Sequence, residues 1–275
     1  MMDLETFLEM PLNSKHPLSG ENLLISGNWP YECKDIIKTW NQLNNLTILG
    51  ISCFPSPTEV LFMSQKHQYL SWLKSIPLPT IPTVFFDPSD KDLKATINHL
   101  PQTNKIYIKR SVSEASSHVF QFKPSDIKEI QSTIKKHHKL DTFWLIQPSI
   151  LELEQNPEIK IYIDQGQFCT GFLQFRTKEK GSFIHEELRR DNITTWNKYQ
   201  IDGAIAFAKV IYKHLLQRCP EVACFFRVDL VLKENELLIN ELEHFGNMWL
   251  MTAFSTLGLE FFQRIIQAII TKLLK

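Results

Sequence analysis

The sequence lacks an excess of charge of either sign, since 30 Lys and Arg balance 30 Asp and Glu. With no net field to hold a polyanion or an anionic bilayer, nucleic acid and membrane are not expected as partners, and only a local basic cleft stays open. It also lacks a long uninterrupted apolar run. The stretch 257–274 is broken by Glu260, Gln263, Arg264, Gln267 and Lys272, so it predicts an amphipathic helix and not a bilayer span. The N-terminus carries acids where a secretory signal needs bases, and no export by that route is expected. The cysteines, at 33, 53, 169, 219 and 224, are odd in number and show no CxxC or paired Cys/His spacing. That pattern excludes a disulfide framework and structural zinc, and points to reduced thiols in the cytoplasm. No GxSxG, HExxH, Walker-type glycine loop or dinucleotide fingerprint occurs, which removes the serine-hydrolase, zinc-protease and P-loop classes.

What is present suits a folded globular protein. Of 275 residues, 43% are hydrophobic and 22% charged, with 19 Phe to fill a core. At roughly 150 residues per domain, that length is one large domain or two intimate ones. The proline-rich stretch Ile76 to Thr83 predicts an extended linker. Ahead of it, 22–26 and 46–53 are expected as strands flanking a helix at 32–43, a small β-α-β unit, with a further helix at 65–73. After it come a strand at 105–109, a helix at 125–139 and a strand at 143–147. Two hairpins follow: 158–164 with 167–176, turning at Asp164-Gln165-Gly166, and 224–232 with 237–243. A long helix at 201–217 separates them. His137 and His138 fall on a solvated helix face, and Cys169 is expected in the core. Mixed but not alternating elements predict an α+β fold, with sheet domains packed around a cleft.

The second hairpin carries the chemistry. Alternation puts Arg227 and Asp229 on one face of the first strand and Glu241 and Glu243 on one face of the second. Closing it with Asp229 opposite Glu241 sets Arg227 opposite Glu243. Three carboxylates and a guanidinium then converge, either as solvent-facing ion pairs or as a partly buried cluster that needs a cation.

Five elements in chain order resemble the ATP-grasp superfamily over roughly 59–250. Ser64-Gln65-Lys66-His67 is similar to the stretch that bears the first phosphate lysine, and Lys109 in Lys105-Ile106-Tyr107-Ile108-Lys109-Arg110 to the second. The small hydroxylic loop 111–117 stands where many members have a glycine-rich lid, and here it has no glycine. Leu145-Ile146-Gln147-Pro148-Ser149-Ile150 resembles the adenine hinge. Glu158-Ile159-Lys160 resembles the acidic-x-basic element of ribosomal-protein glutamate ligases, and Asp229 with Glu241-Leu242-Glu243 resembles the metal hairpin, with Glu243 where Asn is usual.

The resemblance implies two α+β subdomains clamping a nucleotide, a lid at about 84–146 and a metal-binding part at about 147–275, behind a small α/β domain at 1–75. It implies an ATP- and Mg²⁺-dependent ligase, with Mn²⁺ as a substitute ion, joining a small-molecule or peptide carboxylate to an amine through an acyl phosphate and releasing ADP and phosphate. ATP falls to Lys66, Lys109, Gln147, Pro148, Ile150, Glu158 and Lys160, the metal to Asp229, Glu241 and Glu243, and catalysis to Arg227. The basic stretch of Arg176, Lys178, Lys180, His185, Arg189 and Arg190 is the candidate for substrate, Arg176 and Arg189 foremost. Ser116-Ser117-His118 is similar instead to the Ser-His element of inositol polyphosphate kinases, which makes a kinase the alternative and His118 its substrate residue. The glycine-poor lid and Glu243 also admit a degenerate nucleotide-binding module.

Overall fold

The computed structural model describes residues 22–24, 36–48, 51–89, 92–112, 119–137, 143–177, 183–188, 198–244 and 263. Strand β1 (Asn22–Leu24), helix α1 (Ile36–Ile48) and strand β2 (Ser52–Phe54) make the first unit, and the two strands pair in parallel. The strand expected to begin at Leu46 starts later, because the helix runs on to Ile48. Leu43 and Leu46, three apart and both buried, continue one apolar stripe, which a short apolar run cannot reveal by itself. Helix α2 (Pro57–Ser64) was not expected. Its start signals are nonetheless present: the Ser56 hydroxyl accepts from the Glu59 amide at 3.3 Å, and Pro57 occupies the first turn, where a missing N–H costs nothing.

Helix α3 (Lys66–Ser75) leads into the proline stretch, which is extended and straps onto the larger sheet. The Ile81 amide donates to the Ile239 carbonyl at 3.1 Å and the Ile239 amide to the Pro79 carbonyl at 2.9 Å.

Two antiparallel sheets carry the rest. The smaller has the order β3-β6-β4-β5, from β3 (Val84–Phe86), β4 (Ile106–Arg110), β5 (Val119–Phe122) and β6 (Trp144–Pro148). Helices α4 (Leu93–Asn98) and α5 (Ile127–His137) contribute Leu93, Ile97, Ile130 and Ile134 to a core shared with Ile106, Ile108, Trp144 and Ile146.

The larger sheet has the order β11-β10-β7-β8-β9, from β7 (Glu158–Asp164), β8 (Gln167–Arg176), β9 (Phe183–Glu187), β10 (Phe225–Lys233) and β11 (Glu236–His244). Both hairpins close on two-residue turns whose central residues have positive φ: Gln165 at 46° with Gly166 at 81°, and Glu234 at 48° with Asn235 at 72°. Such turns match the twist of paired strands and so fix their register. Cys169, expected in the core, is only half-buried; it lies where the β7–β8 ladder shifts register between Tyr162 and Ile163.

One face of this sheet is apolar and the other polar. Ile159, Ile161, Ile163, Val228, Leu230 and Leu242 pack with Ile201, Ala204, Ala208, Ile211 and Leu215 of helix α7 (Lys198–Arg218). Those helix residues recur three and four apart, and the two alanines let the helix lie close to the strands. Burying the apolar face turns Glu158, Lys160, Arg227, Asp229, Glu241 and Glu243 the other way. Short helices α6 (Leu151–Gln155) and α8 (Pro220–Ala223) complete the described elements. No helix among the described residues is long and apolar enough to cross a membrane. The amphipathic helix expected over 257–274 lies outside the described residues apart from Gln263, which is helical.

Candidate active site

The β10–β11 hairpin closes in the expected register, Asp229 beside Glu241 and Arg227 beside Glu243. Strand β7 extends the same face, setting Lys160 beside Asp229 and Tyr162 beside Arg227. The Arg227 guanidinium donates from Nε to Asp229 Oδ1 at 2.6 Å and from Nη2 to Oδ2 at 2.9 Å. Its Nη2 also lies 3.8 Å from Glu243 Oε1. The Lys160 ammonium donates to Asp229 and, at 2.8 Å, to Glu158 Oε2. Asp229 is 1% exposed, so both of its oxygens are taken by cations in a dry setting.

Two lysines from outside this sheet converge on its edge. Lys109, on β4 of the smaller sheet, places Nζ 3.0 Å from Glu241 Oε1, and Lys66, opening α3, places Nζ 4.0 Å from the same oxygen. Three separate elements thus meet at one carboxylate. Burial raises the Glu241 pKa, but the Lys66 and Lys109 ammonium groups outweigh it and hold the carboxyl well below the usual range. Burial likewise raises Glu243; Lys66 and Arg227 oppose it, Glu241 and Asp229 reinforce it, and the net shift is upward. Lys160 and Arg227 keep their charge against burial because Asp229 faces both.

Glu158, assigned to nucleotide from the sequence, is buried and accepts from Lys160, from Gln174 Nε2 at 3.3 Å and from Asn240 Nδ2 at 2.5 Å. Gln147 is buried on β6, its amide donating to Thr83 Oγ1 at 2.8 Å, and Pro148 pairs with Ile106. Ile150 is buried in a small apolar cluster with Ile81, Val231 and Leu238. Val231 shares the face of Asp229, so this cluster begins where the charged rows end. Arg176 is exposed at the end of β8 and is not brought to the charged cluster by any contact described. His118, Arg189, Arg190, Lys178, Lys180 and most of the 111–117 loop lie outside the described residues.

Among the described residues, no group of three or more His, Cys, Asp or Glu side chains is arranged to hold a metal ion. The carboxylates expected to share a cation are instead divided among protein cations. Asp229 is the clearest departure, because Arg227 and Lys160 enclose it. Glu241 and Glu243 do fit a divalent ion in their chemistry, as hard oxygen donors side by side on one face, with Lys66 and Lys109 the present partners of Glu241.

No protein-family model matches this chain, and no curated protein matches it in sequence. Solved structures do. D-cycloserine synthetase DcsG superposes with a TM-score of 0.72 at 15% identity, covering 97% of this chain and 88% of its own. D-alanyl-alanine synthetase A from Vibrio cholerae superposes with a TM-score of 0.62 at 14% identity, covering 92% and 77%. A D-alanine–D-alanine ligase from Bacillus anthracis, complexed with ATP, gives 0.57 at 15% identity, covering 81% and 67%. The chain has the ATP-grasp fold.

Around the polar face of this ATP-grasp sheet lie His185, already part of the basic candidate stretch, and groups that sequence reading missed. Asn240 reaches Glu158 because the ladder shifts register between Asp229 and Leu230. A bulge depends on pairing, so no local signal betrays it. His185 bonds Gln174 at 2.9 Å, and its pKa is pushed down to about 4 by burial and then by Lys160 and Arg227. His67 stacks on Phe143 with centroids 4.4 Å apart and bonds Ser111 Oγ at 2.7 Å. The Lys66 amide donates to the Ser111 carbonyl at 3.1 Å, tying the elements that carry Lys66 and Lys109. Tyr162 could have been found, since Glu158, Lys160 and Tyr162 alternate on the face opposite Ile159, Ile161 and Ile163.

Proposed function

We propose that this protein is an ATP-dependent ligase that phosphorylates a carboxylate and joins it to an amine, releasing ADP and phosphate. The observation that carries this reading is the meeting of Lys66 and Lys109 at Glu241, beside the buried Arg227–Asp229 pair. Two ammonium groups sharing one carboxylate can exchange it for phosphate oxygens, with compact charges suited to that contact. The apolar cluster of Ile81, Ile150, Val231 and Leu238 adjoins the charged rows and suits the planar base. Glu158 then faces the ribose.

Glu241 and Glu243 would hold magnesium, or manganese in its place, and the ion would neutralise phosphate charge during transfer. Arg227 acts next. Held rigid by Asp229, its guanidinium stabilises charge on the acyl phosphate and on the oxygen that becomes negative when the amine attacks. Asp229 serves to orient that donor. The names of the similar structures, a D-cycloserine synthetase and two D-alanine-joining enzymes, support small amino-acid-like substrates.

The test is incubation with ATP, magnesium and a panel of D- and L-amino acids and short peptides, following ADP release and the masses of the products. A new amide formed with stoichiometric ADP is the expected result, and Arg227→Ala should lower turnover more than ATP affinity. A phosphoester product, or ATP binding with no turnover on any pair, refutes the ligase reading.

A further inference from the structure

Tyr162 is 1% exposed, and among the described residues its hydroxyl makes no hydrogen bond of normal length, with only the Arg227 guanidinium near enough to act on it as a donor. Other polar groups around it are engaged: Lys160 and Arg227 with Asp229, and Thr170 with Glu187 at 3.4 Å. The ring packs as a phenylalanine would, stacked on Phe225 with centroids 6.0 Å apart and edge-on to Phe172 at 5.9 Å. Packing therefore accounts for the ring and not for the oxygen. A buried hydroxyl left unsatisfied destabilises the fold, and such local violations collect at functional sites.

Its position names the partner. Tyr162 is the cross-strand neighbour of Arg227, and the guanidinium carbon lies 5.9 Å from the ring centroid. Burial is the largest influence on the phenol and raises its pKa, so the group is a neutral O–H donor. A neutral donor beside a fixed cation matches an anionic oxygen.

We propose that the Tyr162 hydroxyl contacts substrate, donating a hydrogen bond to the anionic oxygen that Arg227 holds. This rests on the ligase reading and adds a residue to it. When the amine attacks the acyl phosphate, its lone pair forms the C–N bond and the carbonyl π pair moves onto oxygen. Arg227 and the Tyr162 hydroxyl meanwhile hold the anionic phosphoryl oxygen of the acyl phosphate. As the carbonyl re-forms, the C–O bond to phosphate breaks, and phosphate departs with the electron pair and takes up the proton that the nitrogen loses. Tyr162 keeps its own proton throughout.

Tyr162→Phe removes only the oxygen. Without ligand the variant should melt at the same temperature as the parent or higher, because no hydrogen bond of normal length is lost. In the presence of ADP and magnesium, its affinity for inorganic phosphate by calorimetry should fall about 10-fold, the value of one hydrogen bond to a charged group, with ADP affinity unchanged. Thr170→Val is the control, since that hydroxyl already has a protein partner, and it should leave phosphate affinity unchanged. Melting of Tyr162→Phe several degrees lower, or phosphate affinity equal to the parent's while ADP still binds, overturns the Tyr162 assignment alone. Failure of the parent to bind ADP overturns the ligase reading and this inference with it.

Discussion

Charge balance in the buried cluster gives the sharpest expectation. Glu158, Asp229, Glu241 and Glu243 face Lys66, Lys109, Lys160 and Arg227, four anions against four cations, and all but Glu241 are buried. Asp229→Asn keeps the shape but removes one charge from the middle. The guanidinium loses the anion to which it makes two hydrogen bonds, Lys160 loses one of its two carboxylates, and one amide group must now face donors. Breaking a buried pair from one side costs about 3–5 kcal/mol, which at about 2–4 °C per kcal/mol for a chain of this size lowers Tm by roughly 6–20 °C. Lys160→Met alone should cost a similar amount, as it removes the ammonium shared by Asp229 and Glu158. The double variant restores balance at three against three. It should therefore be more stable than the summed single losses suggest, by about 2 kcal/mol or more. Urea unfolding of the four proteins measures the cycle. Strict additivity would refute the claim that these charges form one desolvated unit.

Further expectations follow from other parts of the molecule. Lys109→Met should leave the fold intact but weaken ATP binding at least 10-fold by calorimetry, the loss expected when one charged hydrogen bond to phosphate goes; unchanged affinity would remove Lys109 from the site. His67, His185 and His244 all have pKa values pushed down to about 4, by burial first in each case. The unfolded chain therefore binds more protons than the folded one between about 4 and 6.5, so stability should fall as pH drops through that window. His67→Gln should flatten the fall, and a Tm independent of pH there would show that these rings are not held neutral. Glu59 Oε2 accepts the amides of Glu221 and Val222 at 2.9 and 2.8 Å, while the Ser56 amide donates to Glu221 Oε2 at 2.6 Å. Glu59→Ala should cost about 1–2 kcal/mol, as loss of a helix cap does, measured by chemical denaturation.

Residue order alone set the local features. Strict alternation at 158–164 marked a two-faced strand, since side chains on a strand point to opposite sides. The Gln165-Gly166 turn and the polar pair Glu234-Asn235 closed their hairpins, but the second turn alone pairs Asp229 with Asn240, and only the register shift beside Asp229 brings Glu241 opposite it. Long helices with apolar spacing were legible for the same reason, although Leu46 to Ile48 were mistaken for strand because so short a run carries no period.

Tertiary structure decided what these faces meet. Lys66 and Lys109 are two among many lysines in the sequence, and only the docking of α3 and β4 against the larger sheet brings both to Glu241. The division of the carboxylates among protein cations, the bulge that sends Asn240 to Glu158 and the burial of the Tyr162 hydroxyl beside Arg227 are likewise products of packing. Alternation and turn geometry act within a few residues. Charge neutralisation in a dry interior is a sum over groups distant in the chain, and it has no value until the chain has folded.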